Sequence, residues 1–149
     1  MTAARSAPVR GALGLPMTLL ALASTAIASY LSWVRATGGE AVCDASRGCD
    51  TVANSPYALI LGIPVAYLGL GFSIALAVLT ATWWLRADRR ALQGSWALLL
   101  VGTLFVAYLT FLELVVIKAV CIWCATFAIT IVAGLVTAAL AVRRSAPAR

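Results

Sequence analysis

Residues 119–142 read AVCIWCATFAITIVAGLVTAALAV, an unbroken apolar run without a charged residue. At a rise of about 1.5 Å per residue, a helix of this length crosses the roughly 30 Å of hydrocarbon in a bilayer. Three further runs, 13–34, 63–85 and 95–117, repeat the pattern toward the N-terminus. The third of these reaches spanning length only by running past Glu113 to Ile117. Helices are expected because a segment in hydrocarbon must satisfy its own backbone hydrogen bonds. Pro16 falls near the start of the first run and Pro64 at the start of the second, where the ring is tolerated.

Composition agrees with this reading. The chain is 63% hydrophobic and 11% charged, whereas soluble domains carry about 25% charged residues. A soluble fold of 149 residues would expose much of that apolar surface to water, so the lipid bilayer is the expected solvent. The expectation is an all-α, integral membrane four-helix bundle that uses residues 1–149 as one domain. The first run resembles a signal peptide, with Arg5 and Arg10 ahead of it. It is nevertheless longer than the about 7–15 residues of a signal core, which favours a retained span.

Charge sets orientation. Arg5 and Arg10 precede the first run, Arg86, Arg89 and Arg90 follow the second, and Arg143, Arg144 and Arg149 follow the fourth. The opposite side holds Arg35, Arg47 and Lys118, with Glu40, Asp44 and Asp50. Basic residues favour the cytoplasmic side, so both termini are expected inside a bacterial inner (cytoplasmic) membrane. The net charge of +6 is then a topology signal. Nucleic acid is not an expected partner, because no basic patch lies on a soluble face.

The outer loop, residues 35–56, carries Gly38, Gly39 and Gly48. Asn54, Ser55 and Pro56 suit the start of a short surface helix. A short basic connection near residues 86–94 and a tight one at Ile117 and Lys118 join the remaining spans. The residues after Arg144 are expected to be a disordered tail.

The chemistry lies in the cysteines. Cys43 and Cys49 lie in the outer loop, and Cys121-Ile-Trp-Cys124 opens the last span. The topology read from arginines puts all four on the extracytoplasmic side, where disulfides persist. Cys121 and Cys124, at i and i+3, share a helix face in a first turn whose free N–H groups favour a thiolate. Lys118 adds positive charge nearby. Such a pair is a dithiol/disulfide redox centre. By depth, Cys121 is expected to be the more exposed member, and Cys124 the deeper thiolate. Two purely structural disulfides, or a four-cysteine metal site, are the alternatives. Haem attachment by Cys-x-x-Cys-His is excluded, because the chain has no histidine. A transporter would need polar residues in mid-membrane, and only Glu113 approaches a span, near its end.

Read together, Cys43-x5-Cys49, Ser55, Leu-Gly-Ile-Pro at 61–64 and Cys121-Ile-Trp-Cys124 resemble the vitamin K epoxide reductase family. The resemblance runs from about Val42 to Ala128, and Asn54-Ser55-Pro56-Tyr57 looks like its bacterial branch. It implies a quinone-dependent thiol–disulfide oxidoreductase. Cys43 would meet a thioredoxin-like or DsbA-like extracytoplasmic protein, and Cys49 would exchange with Cys121. Cys124 would react with a membrane quinone, menaquinone or ubiquinone, beside Ser55, Tyr57 and Phe127. A DsbA-like dithiol sits near −120 mV, so its oxidation needs an acceptor of comparable or higher potential, which a quinone supplies. Two departures stand out. Ala128 occupies the place of a tyrosine that lines the ligand site of animal members, which weighs against epoxide reduction. No residue of the second span matches the family's quinone-contacting asparagine.

Overall fold

A computed structural model of the chain describes the backbone of residues 2–43 and 47–145, and side chains from Gly11 onward within them. The expected tail at 146–149, and the charges placed on Arg5, Arg10, Asp44 and Arg149, lie outside the side chains described. Four long helices carry the apolar runs: α1 (Thr2–Thr37), α3 (Val65–Arg86), α4 (Arg89–Phe111) and α5 (Ile122–Ser145). Each is long and apolar enough to cross a membrane, and the third continues through Ile117. A short α2 (Gly48–Ala53) lies in the outer loop. Around the bundle, α1 packs on α3 and α5, and α4 closes the ring against both.

The helices meet through small and weakly polar residues. Lipid tails are as apolar as leucine, so close packing and hydrogen bonds must hold the helices together. Gly102 takes the ring of Phe72 against its backbone, and Gly14 does the same for Trp84. The hydroxyls of Ser24 and Thr130 meet at 2.8 Å between α1 and α5. Ser32 donates to the Ala66 carbonyl at 3.1 Å, tying α1 to α3. The core between them is Met17, Leu76, Trp83, Leu92, Leu99 and Ile131. Leu19, Leu104 and Ile129 face outward, as lipid permits.

Several helix ends depart from the sequence reading, each for a local reason. The first helix begins at Thr2, so Pro16 sits inside it rather than near its start. Its ring removes the donor that would have reached the Ala12 carbonyl. The third span begins at Arg89, ahead of the expected Ser95, because Asp88 caps it by accepting the Arg90 N–H at 2.8 Å. Ala87 and Asp88 alone link α3 to α4, and the Arg89 guanidinium donates to the Ser145 carbonyl at the end of α5.

The outer loop is more ordered than the sequence indicates. The short helix was expected after Asn54, but α2 ends there, with Asn54 Nδ2 donating to Asp50 Oδ1 at 2.9 Å. Pro56–Ala58 form only a 3₁₀ turn, with Pro56 at its first position. A two-residue hairpin follows, β1 (Leu59–Ile60) against β2 (Ile63–Pro64). Leu61 and Gly62 both have positive φ, 52° and 83°, as a type I′ hairpin turn requires. The second span therefore starts at Val65, two residues after the run at 63 begins.

Candidate active site

At the outer end of α4 the helix widens into a π-turn, Leu112–Ile117. Lys118 then adopts a left-handed conformation at φ 56°, and its neighbour Ala119 donates to the Glu113 carbonyl at 3.0 Å. The chain runs without regular structure to Cys121, whose carbonyl accepts the Ala125 N–H at 2.9 Å. Cys121 is therefore the N-cap of α5 rather than a residue of its first turn. The Cys124 N–H, three residues on, donates to Cys121 Sγ at 3.3 Å. A sulfur thus takes the place of the serine or aspartate oxygen that usually caps a helix.

This geometry reverses one expectation. Cys121 is 2% exposed, whereas Cys124 is half-buried. Depth along the helix does not set exposure here, because Cys121 turns inward beneath the outer loop. The helix N-terminus also serves Cys121 first. The hydrogen bond from the Cys124 thiol, more than any other contact, holds the Cys121 thiol below its ordinary range. The N–H groups of Cys124 and Trp123 add to this, against burial and the nearby Glu113 charge. Lys118, expected to help, points to solvent as the cap of the preceding turn.

Cys43 and Cys49 form a disulfide, with Cα atoms 6.1 Å apart. Cys49 is buried, while Cys43 sits half-buried on a shallow outer groove with Val42, Ile122 and Trp123. Two contacts seat this loop on the start of α5. A Cβ at Gly48 would fall on the Val120 carbonyl oxygen, so the loop backbone lies directly on the segment leading to Cys121. Beside Cys43, the Val42 N–H donates to the Tyr30 hydroxyl at 2.9 Å, and its carbonyl accepts from Trp123 Nε1 at 2.8 Å. The rings of Tyr30 and Trp123 meet at 4.7 Å between centroids.

Gly48→Ala is expected to push α2 off the Val120 carbonyl. Overpacking of this kind costs about 1–3 kcal/mol. We expect a lower Tm by thermal denaturation in detergent, and slower exchange between loop and membrane cysteines. A variant with wild-type Tm and exchange rate would show that the loop does not need this seat.

Cys49, Cys121 and Cys124 open onto one cavity of about 600 Å³. Ser55, Tyr57 and Phe127 line it too, together with Ala128 and the apolar side chains Phe72, Phe105 and Leu109 of α3 and α4. Its walls are mostly apolar, with polar groups gathered at the cysteine end, as suits a flat apolar ligand. A sequence model of the vitamin K epoxide reductase family matches residues 15–139, which covers the first span, the loop and both cysteine pairs. The chain belongs to the vitamin K epoxide reductase family. Membership makes it a membrane thiol–disulfide oxidoreductase, and its cysteines stand in two different states: one pair joined, the other free.

Three residues of this family member's site escaped the sequence reading. Glu113 is 6% exposed and its Oε2 accepts the Cys121 N–H at 3.2 Å. Its signal was available, since an ionisable residue near a span end is a functional pointer in itself. Tyr30 and Trp123 carried none, because aromatic residues at a membrane interface are common anchors.

Proposed function

We propose that this protein oxidises the dithiol of a separate thioredoxin-like protein outside the cytoplasmic membrane and passes the electrons to a membrane quinone. The observation that carries the reading is the shared cavity: three of the four sulfurs line one largely apolar chamber, and the fourth lies at the outer groove. The partner thiolate attacks Cys43 Sγ and releases Cys49. Resolution gives the partner its disulfide and leaves both loop cysteines reduced. Cys49 then attacks Cys121 of an oxidised Cys121–Cys124 pair, and Cys43 attacks Cys49, restoring the loop disulfide. Two electrons and two protons now rest on Cys121 and Cys124. A loop disulfide beside a free inner pair is the arrangement at this point of the cycle.

The residues present fit a quinone. Aromatic side chains Phe72, Phe105 and Phe127 line the apolar part of the cavity, and Ser55 and Tyr57 stand at the polar end. A bound quinone would supply a two-electron, two-proton acceptor, and in this reading Cys124 is the residue that hands electrons to it. Ala128 adds no phenol at its own position on the wall, in keeping with a reaction that ends at quinone rather than at an epoxide. The orientation follows from charge: Arg86, Arg89, Arg90, Arg143 and Arg144 lie at the bundle end opposite the cysteines. Both termini are then cytoplasmic.

One experiment tests activity and orientation together. Sealed right-side-out vesicles containing the protein and a quinone receive a reduced thioredoxin-like dithiol outside. We expect dithiol consumption and hydroquinone formation in equal amounts. Dithiol loss without hydroquinone would overturn the quinone reading, and turnover only with dithiol inside would overturn the orientation.

A further inference from the structure

Glu113 is a buried acid at the outer end of a membrane span, where an ionisable group is costly to keep. Part of its role is structural. In a capping box, a glutamate three residues into the helix reaches back to the N-cap N–H. That position in α5 is Cys124, so the Cys121 N–H is reached instead by Glu113 Oε2, across from the π-turn. The Glu113 main chain is pinned as well, by the Ala119 N–H. The same carboxylate shares the cavity with the Cys124 thiol, one helical turn on from the N–H it accepts.

A glutamine would cap as well as a glutamate. A carboxylate adds one property, the capacity to take a proton, and it sits beside a thiol that must lose one. Other titratable groups line the cavity among the described residues: Arg35 in the last turn of α1, Glu40 after it, Asp50 on α2, and Tyr57. They are otherwise engaged or outlying. Arg35 donates to the Ala53 carbonyl, Asp50 accepts from Asn54, and Glu40 and Tyr57 are exposed. The lining residues of α3 and α4 bring no further ionisable side chain.

We infer that Glu113 is the proton acceptor of the inner cysteine pair, taking the Cys124 thiol proton as the Cys121–Cys124 disulfide closes. The inference rests on the proposed electron transfer to a quinone. Closure forms one S–S bond, and two electrons leave for the quinone. The Cys124 proton passes to the Glu113 carboxylate, and the Cys121 proton to the outer water. Glu113 then returns its proton to the reduced acceptor, while outer water supplies the second, so charge and protons balance.

The test uses full-length protein in lipid nanodiscs, as wild type, Glu113→Gln and Glu113→Asp. Two rates of pair closure are followed against pH, one with a short-chain quinone and one with diamide, a thiol oxidant that needs no quinone site. A third measurement, on reduced quinone-free protein, is the pH profile of Cys121 alkylation by iodoacetamide, read by peptide mass spectrometry. General-base catalysis contributes about 10²–10⁴-fold, so Glu113→Gln should slow closure at least about a hundredfold. The fall in wild-type rate toward acid pH should vanish with it, and Glu113→Asp should restore part of the rate. Alkylation should move the other way: removing the Glu113 charge lets the Cys121 thiolate form at lower pH. A more acidic cysteine in a slower enzyme is not the mark of a lost cap. Closure of Glu113→Gln at the wild-type rate, or slower closure with an unchanged pH profile, would overturn the inference. If wild type closes with diamide but never with quinone, the functional reading fails instead, and the diamide rates of the variants still decide the role of Glu113.

Discussion

A Cys124→Ala protein should reduce no quinone and should accumulate a disulfide between Cys49 and Cys121. Cys49 and Cys121 are both buried, line the same cavity, and follow the touching backbones of Gly48 and Val120. Without Cys124, the inner pair has no second sulfur to close onto Cys121. The Cys121 thiolate instead attacks Cys49 of the loop disulfide and releases the Cys43 thiol, which gives the linkage the proposed relay passes through. Mass spectrometry of unreduced peptides identifies it. The variant should also lose the hydrogen bond that chiefly holds the Cys121 thiol down, so in reduced protein Cys121 should need a higher pH to react with iodoacetamide. Quinone reduction at the wild-type rate would eliminate this mechanism and move the structural-disulfide reading ahead.

The second large effect belongs to the loop. Cys49→Ala should trap a mixed disulfide between Cys43 and the thioredoxin-like partner. Cys43 lies at the outer groove and Cys49 inside, so a partner meets Cys43 first, and in this variant the free Cys43 thiolate attacks the disulfide of the oxidised partner and displaces one of its thiols. In the intact protein, Cys49 attacks Cys43 from a neighbouring position, at an effective concentration of order millimolar or above, and releases the partner. Its loss should extend the lifetime of the intermediate enough for a higher band on non-reducing electrophoresis, which reductant removes. Should Cys43→Ala produce that band instead, the roles of the two loop cysteines are reversed.

The fold was legible because the bilayer imposes its own reading frame. Four apolar runs of spanning length, only the third of them carrying a charge, at Glu113, admit little besides four helices, and all four are present. What the runs could not convey is where each helix stops. Asp88 caps α4 from outside the apolar stretch, and the hairpin that turns at Leu61 and Gly62 takes Ile63 and Pro64, which hydropathy assigns to the second span. Leucine is a poor indicator of positive φ, so nothing local announced that turn. The site was legible in its sulfur and not in its geometry. Pair spacing put Cys121 and Cys124 on one helix face, but their order of burial depends on Gly48 and the loop above, contacts distant in sequence. Glu113 reaches Cys121 only because a π-turn redirects the end of α4, and no side-chain periodicity marks such a turn.

Trp123 lies between Cys121 and Cys124 at the start of α5 while its indole N–H holds the main chain next to Cys43. Tyr30 grips the same residue from α1 and lies against the indole. The protein thereby carries a built-in optical gauge of this contact. Lifting of the segment around Val42 would exchange the indole's carbonyl for water and loosen its contact with the phenol. Emission from this tryptophan, isolated by replacing the other four, would follow the opening of the loop in real time without any attached dye.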